Sequence, residues 1–129
     1  MAANELPDQG DSLRVLVVED ETLVAILLED MLTELGHQTI GPIARLSKGL
    51  EAAQREDMDI AILDVNLNGD NTFPIAGALD ARGIPFIFAT GYGRANLPKP
   101  FSKAPVLQKP FQQSDLRDIL AQARKAADA

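Results

Sequence analysis

Cysteine is absent from these 129 residues, and aromatic side chains are scarce, at 5% of the chain with one tyrosine and no tryptophan. Without cysteine, neither a disulfide framework nor a thiolate metal site is available. Basic residues are in deficit as well, 12 Lys and Arg against 19 Asp and Glu, for a net charge of −7. Nucleic-acid binding rests on neutralising phosphates with Lys and Arg, so DNA and RNA are poor partners for such a chain. Phe86, Phe88, Phe101 and Phe111 suit core and loop anchoring better than a base-stacking platform. No apolar run approaches the roughly 20 residues that span a bilayer, so no membrane segment is expected. The opening stretch MAANELPDQGD is polar and acidic and lacks the basic-then-apolar plan of a secretion signal. A cytoplasmic protein is expected, with residues 1–12 a flexible tail.

What is present is the composition of one globular domain, 46% apolar and 24% charged, long enough to bury a sizeable core. The folded part is expected over residues 13–126. Leu13–Val18 reads as a first strand. Val24, Leu27, Leu28, Met31, Leu32 and Leu35 then recur at helical spacing, and Gly36 is placed to end that helix. Gln38–Ile43 reads as a second strand, followed by a helix from about residue 47 to 56, with Ser47 as its cap and Leu50 and Ala53 inward. Asp59–Leu63 is a third strand. Thr72 can cap a third helix that carries Pro74 in its first turn and ends at Gly83. Pro85–Ala89 and Pro105–Gln108 complete the strands, and Leu116, Ile119, Leu120 and Ala123 line a last helix over 113–126.

Strand and helix alternate, which predicts a doubly wound five-stranded parallel sheet with helices on both faces. The exception is residues 91–104, GYGRANLPKPFSKA. Two glycines and two prolines stand where a fourth helix is due, so that helix is expected to be short or replaced by a mobile loop.

Chemistry-bearing residues fall at the carboxyl ends of the strands. Glu19 and Asp20 come after the first, Asp64 after the third, Thr90 after the fourth and Lys109 after the fifth. Taken singly, Glu19 or Asp20 could cap the first helix, Thr90 be a strand residue and Lys109 a solvated turn lysine. Their joint placement is what those readings leave unexplained, because a parallel sheet opens all these ends on one edge, where ligands bind. Three carboxylates crowded together repel unless a cation sits among them, and oxygen ligands at a hydrated site suit Mg²⁺. A hydroxyl and an ammonium opposite supply what a phosphoryl group needs. Asp64 is then a nucleophile able to carry an aspartyl phosphate.

VVEDE at 17–21, ILDVNLNGD at 62–70, FATGY at 88–92 and LQKPF at 107–111 together resemble the receiver domain of bacterial two-component response regulators. The resemblance implies the flavodoxin-like receiver fold and makes Asp64 the phosphoacceptor. It also implies that Asp20, Asp64 and the backbone carbonyl of Asn66 bind Mg²⁺ directly while Glu19 acts through water, that Thr90 and Lys109 contact the phosphoryl group, and that the Lys109–Pro110 bond is cis. A histidine kinase or a histidine phosphotransfer protein is the implied phosphoryl donor. The FATGY string resembles the FAT GUY subgroup of stand-alone receivers, associated with HWE-type kinases and with stress signalling. A stand-alone module is also what a chain ending with its last helix leads one to expect. Val106 stands where the family usually has an aromatic switch residue, leaving Thr90 and Tyr92 as switch candidates.

The alternative is a small Mg²⁺-dependent phosphohydrolase of the haloacid-dehalogenase kind, which needs a second Asp two residues after the nucleophile. That position is Asn66. His37, the single histidine, is expected as a solvent-facing turn residue rather than a phosphocarrier. Arg94, Lys99 and Lys103 give the 91–104 segment a local positive character, read as a solvated loop.

Overall fold

The computed structural model describes residues 12–91 and 97–128. Five strands form one parallel sheet, β1 (Arg14–Val18), β2 (Gln38–Ile43), β3 (Ile60–Asp64), β6 (Phe86–Thr90) and β7 (Val106–Gln108), in the order β2-β1-β3-β6-β7. Among the described residues four α-helices flank it: α1 (Thr22–Glu34), α2 (Leu46–Arg55), α3 (Phe73–Ala81) and α4 (Gln113–Asp128). The doubly wound parallel sheet expected from the alternation is thus the fold. Among the described residues no helix is long and apolar enough to cross a membrane.

Strand side chains alternate between the two faces of a sheet, and the two cores obey that alternation. Val15, Val17, Ile60, Ile62 and Ile87 pack with Leu28 and Leu32 of α1 and Leu116 and Leu120 of α4. Leu16, Val18, Ala61, Leu63 and Phe88 pack with Ala52 and Ala53 of α2 and Ile75 and Leu79 of α3. Because both faces are covered, β3 is buried along its whole length, Asp64 included. All four residues expected on the inner face of the last helix are buried.

Several local expectations are corrected. β3 runs from Ile60 to Asp64 rather than from Asp59 to Leu63, with Asp64 at its carboxyl end as expected. Beyond it the chain forms a two-stranded ribbon, β4 (Asn66–Leu67) against β5 (Asp70–Asn71). Asn68 and Gly69 turn it with φ of 51° and 96°, the two positive angles a tight hairpin needs and an Asn-Gly pair accepts. Leu27 lies 46% exposed, because the contact face of α1 centres on Ala25, Leu28 and Leu32 and the apolar stripe is wider than the groove it fills. α2 starts one residue earlier than expected, so Ser47 sits inside its first turn and Arg45 takes the cap position without a side-chain bond. Thr72 does precede α3, yet its hydroxyl makes no capping bond. His37 is half-buried, and its Nδ1 accepts the Leu13 N–H at 3.1 Å, which ties the start of β1 to the turn before β2.

Gly36 and Gly83 end α1 and α3 with positive φ, as placed. Gly41 interrupts the β1–β2 register at φ 101°; a Cβ there would lie 2.7 Å from the backbone nitrogen of Ile43. Between β6 and β7 the described residues form a single 3-10 turn at Lys99–Phe101. It is held by a ring cluster in which Phe101 meets Phe73, Phe86 and Phe88 at centroid distances of 5.8, 5.8 and 5.9 Å. The tail over 1–12, Ser12 apart, and the Tyr92 and Arg94 expectations lie outside the described residues.

Candidate phosphoacceptor site

The parallel pairing sets the site. β1 and β3 run in register to Val18 and Leu63, and β3 and β6 to Asp64 and Ala89. The residues just past those pairs therefore meet at one edge. One carboxylate oxygen from each of Glu19, Asp20 and Asp64 falls within a group spanning 4.8 Å. Thr90 closes β6 and is buried, and Lys109 comes directly after β7, its N–H donating to the Thr90 carbonyl at 2.9 Å. Of the sequence-predicted residues, Glu19, Asp20, Asp64, Thr90 and Lys109 share this edge. Asn66 stands two residues on, in β4, its side-chain oxygen accepting the Gly69 N–H at 2.8 Å.

Lys109 bridges the acids. Its Nζ lies 2.9 Å from Glu19 Oε1, 3.5 Å from Asp64 Oδ1 and 3.6 Å from Glu21 Oε1. Burial works against its charge, but the hydrogen bond to Glu19 and the nearby carboxylates outweigh that and hold its pKa above the usual value. Asp64 moves the other way from a normal carboxylate. Burial first, then the charges of Glu19 and Asp20, push its pKa up from 3.8 to about 7, with Lys109 only partly opposing them. Such a group is only partly ionised near neutral pH, and a further cation in the cleft would favour its ionised form.

The donor set fits a small hard cation. Oxygens about 2.1 Å from an octahedral ion stand roughly 3–4 Å apart, and the three carboxylate oxygens already lie within 4.8 Å of one another. Asp20 is bonded only lightly among the described contacts, accepting the Asn68 N–H at 3.0 Å, and Glu19 is fixed by Lys109 and the Glu21 N–H.

Three participants went unseen in the sequence. Glu21 extends the acidic run and reaches Lys109; the run EDE was a signal for it. The Asn68 backbone N–H meets Asp20 only because of the hairpin. Thr72 donates its hydroxyl to the Asp64 carbonyl at 2.6 Å, whereas in sequence a threonine before a helix reads as its cap. The Lys109–Pro110 bond is cis.

Comparison with known proteins agrees with this geometry. Residues 15–121 match the family described as the response regulator receiver domain. The solution structure of SdrG from Sphingomonas melonis Fr1 is 40% identical and superposes with a TM-score of 0.75 over 92% of this chain and 98% of that one; a BeF3-activated conformation of SdrG, from Pseudomonas melonis Fr1, is 41% identical over 86% and 95%, with a TM-score of 0.74. The transcriptional regulatory protein PdtaR of Mycobacterium tuberculosis is 30% identical over 107 residues, 80% of this chain and 52% of PdtaR. The receiver domain of the sensor histidine kinase PA1611 from Pseudomonas aeruginosa PAO1, with a magnesium ion coordinated in its active-site cleft, shares the fold at 22% identity and a TM-score of 0.77, over 88% of this chain and 98% of that one. The chain spans about half the length of the curated relatives it matches.

This chain belongs to the response regulator receiver domain family. Receiver domains are signalling domains of two-component systems that interact with histidine kinases or phosphotransfer proteins, and the family typically binds Mg²⁺.

Proposed function

We propose that the protein accepts a phosphoryl group on Asp64 from a histidine kinase or a histidine phosphotransfer protein, and signals by relaying the group or by a phosphorylation-dependent protein contact. The observation that carries this reading is the convergence of Glu19, Asp20, Asp64 and Lys109 at one sheet edge, with Lys109 Nζ 3.5 Å from Asp64 Oδ1. An Asp64 carboxylate oxygen attacks the phosphorus of a phosphohistidine. The new O–P bond forms as the P–N bond breaks, and the imidazole departs with the electron pair. Lys109 transfers part of its pairing from Glu19 to the incoming phosphoryl oxygens, and the Thr90 hydroxyl donates to another. Asp20, Asp64 and the Asn66 carbonyl would hold Mg²⁺ directly and Glu19 through water; when bound, the ion neutralises the acids, favours ionised Asp64 and screens the transferred charge.

The function is that of a signalling module, catalysing only its own phosphorylation and dephosphorylation. Asn66 supports this over the phosphohydrolase alternative, since its amide offers no acid proton where that chemistry needs one. The finer readings of the FAT GUY subgroup, an HWE-type kinase partner, a stress role and a switch through Thr90 and Tyr92 rest on FATGY. Action in the cytoplasm rests on the polar, acidic opening stretch, and residues 13–126 as one receiver unit on the order of the elements and motifs. Incubation with a panel of autophosphorylated histidine kinases, with and without EDTA, tests the proposal. Rapid, EDTA-sensitive transfer from one of them is expected. Failure to take label from any kinase or from acetyl phosphate would contradict it.

A further inference from the structure

We infer that Thr72 is a positioning residue for the Asp64 carboxylate, its buried hydroxyl clamping the peptide that aims the nucleophile; this rests on the reading of Asp64 as phosphoacceptor. Thr72 occupies the cap position of α3, where a threonine side chain ordinarily accepts an N–H from the helix's first turn. Here it does not. The second residue of the helix is Pro74, which has no N–H, and the third, Ile75, gives its N–H to the Thr72 carbonyl at 3.0 Å. Asn71 Oδ1 takes the Phe73 N–H at 3.1 Å, and the Thr72 hydroxyl turns inward. It donates to the Asp64 carbonyl at 2.6 Å, from a residue with no exposed surface.

The position of that carbonyl explains why a clamp is required. Pairing of β3 with β1 stops at Leu63, so Asp64 lies one residue past the last β1–β3 pair, on a buried edge. A buried carbonyl is paired in a stable fold, and the partner chosen sets the orientation of its peptide. Thr72 grips the next peptide too, its N–H donating to the Val65 carbonyl at 3.0 Å. One residue thus closes the ribbon excursion of β4 and β5 against the end of β3. Its own carbonyl in turn accepts the Ile75 and Ala76 N–H groups at 3.0 and 3.1 Å, which anchors the clamp to α3. With the peptide fixed, the Asp64 side chain projects among Glu19, Asp20 and Lys109 in one direction despite their mutual repulsion.

The hydroxyl is the part that matters, so Thr72→Val, which keeps the shape, should differ from Thr72→Ser, which keeps the donor. In wild type and Thr72→Ser, three-bond couplings to the Asp64 Cγ should report a single χ1 rotamer, and acetyl phosphate should label both at similar rates. In Thr72→Val the couplings should average toward mixed rotamers, and labelling should slow by about ten- to a hundredfold, the scale of a misaimed reacting group. A folded Thr72→Val with wild-type couplings and a labelling rate within about twofold of wild type would overturn the inference. If Thr72→Val does not fold, wild type decides: a Thr72 hydroxyl proton slow to exchange and coupled across the hydrogen bond to the Asp64 carbonyl carbon supports the clamp, and its absence overturns it. Wild-type protein that takes no label contradicts the phosphoacceptor reading instead, a failure the coupling measurement keeps separate.

Discussion

The body of β3 and its last residue are neighbours under opposite physical rules. Ile60, Ala61, Ile62 and Leu63 are all but fully buried among apolar side chains from both faces, and every such contact favours the folded state. One residue on, Asp64 is nearly as buried but is a carboxyl that meets two like charges, and its raised pKa records first the burial and then those charges. The strand body stabilises the fold, and the strand end draws on that stability to hold an arrangement of carboxylates that would disperse in water. Substitutions at the strand end should therefore change chemistry greatly and stability little or favourably, and the reverse should hold elsewhere.

The largest effects on the site should be on cation binding. Asp20→Asn should weaken Mg²⁺ binding by about tenfold or more and Glu19→Gln by less, on the scale expected when a direct ligand is compared with an outer-sphere one. Mg²⁺ titration followed by amide chemical shifts measures both; equal effects would contradict the assigned roles. A second effect concerns pH. Because the folded-state pKa of Asp64 is raised to about 7 from 3.8, its contribution is fully present below about pH 4 and is lost as pH rises through 7. Metal-free protein should thus lose on the order of 1–3 kcal/mol between about pH 5 and 8. Asp64→Asn should flatten that dependence in urea titrations, and a wild-type slope in the variant would place the strain elsewhere. Away from the site, Gly41→Ala should destabilise by about 1–3 kcal/mol, since it combines a strained positive φ with a clash against the Ile43 backbone. Its Mg²⁺ affinity should be unchanged while it remains folded. Impaired binding in folded Gly41→Ala would break the separation between the two regions.

The fold was legible because periodicity and strand-end chemistry are local. The apolar runs of β1 and β3 and the spacing of Leu116, Ile119, Leu120 and Ala123 need no knowledge of partners. Glu19, Asp20, Asp64, Thr90 and Lys109 could be brought together because parallel pairing alone puts those strand ends on one edge. The ribbon after Asp64 was not legible, since two-residue strands carry no periodicity and Asn68-Gly69 signals only a turn. The role of Thr72 was hidden for a related reason. A hydroxyl before a helix has two possible partners, and the first turn decides between them: Pro74 offers no N–H and the Ile75 N–H goes to the Thr72 carbonyl. Leu27 was misplaced because an apolar stripe does not disclose how wide a groove it meets. The Phe73–Phe86–Phe88–Phe101 cluster joins residues from three segments that no local pattern connects.

The central claim is that Asp64 carries the phosphoryl group, in a cleft that requires a cation. The direct measurement is site mapping after phosphotransfer: the labelled protein is reduced with borohydride, which converts an aspartyl phosphate to homoserine, and its peptides are then sequenced by mass spectrometry. Conversion at residue 64 alone is predicted, absent from Asp64→Asn and from a reaction run in EDTA. Conversion at another residue, or label at residue 64 that is indifferent to EDTA, would contradict the account.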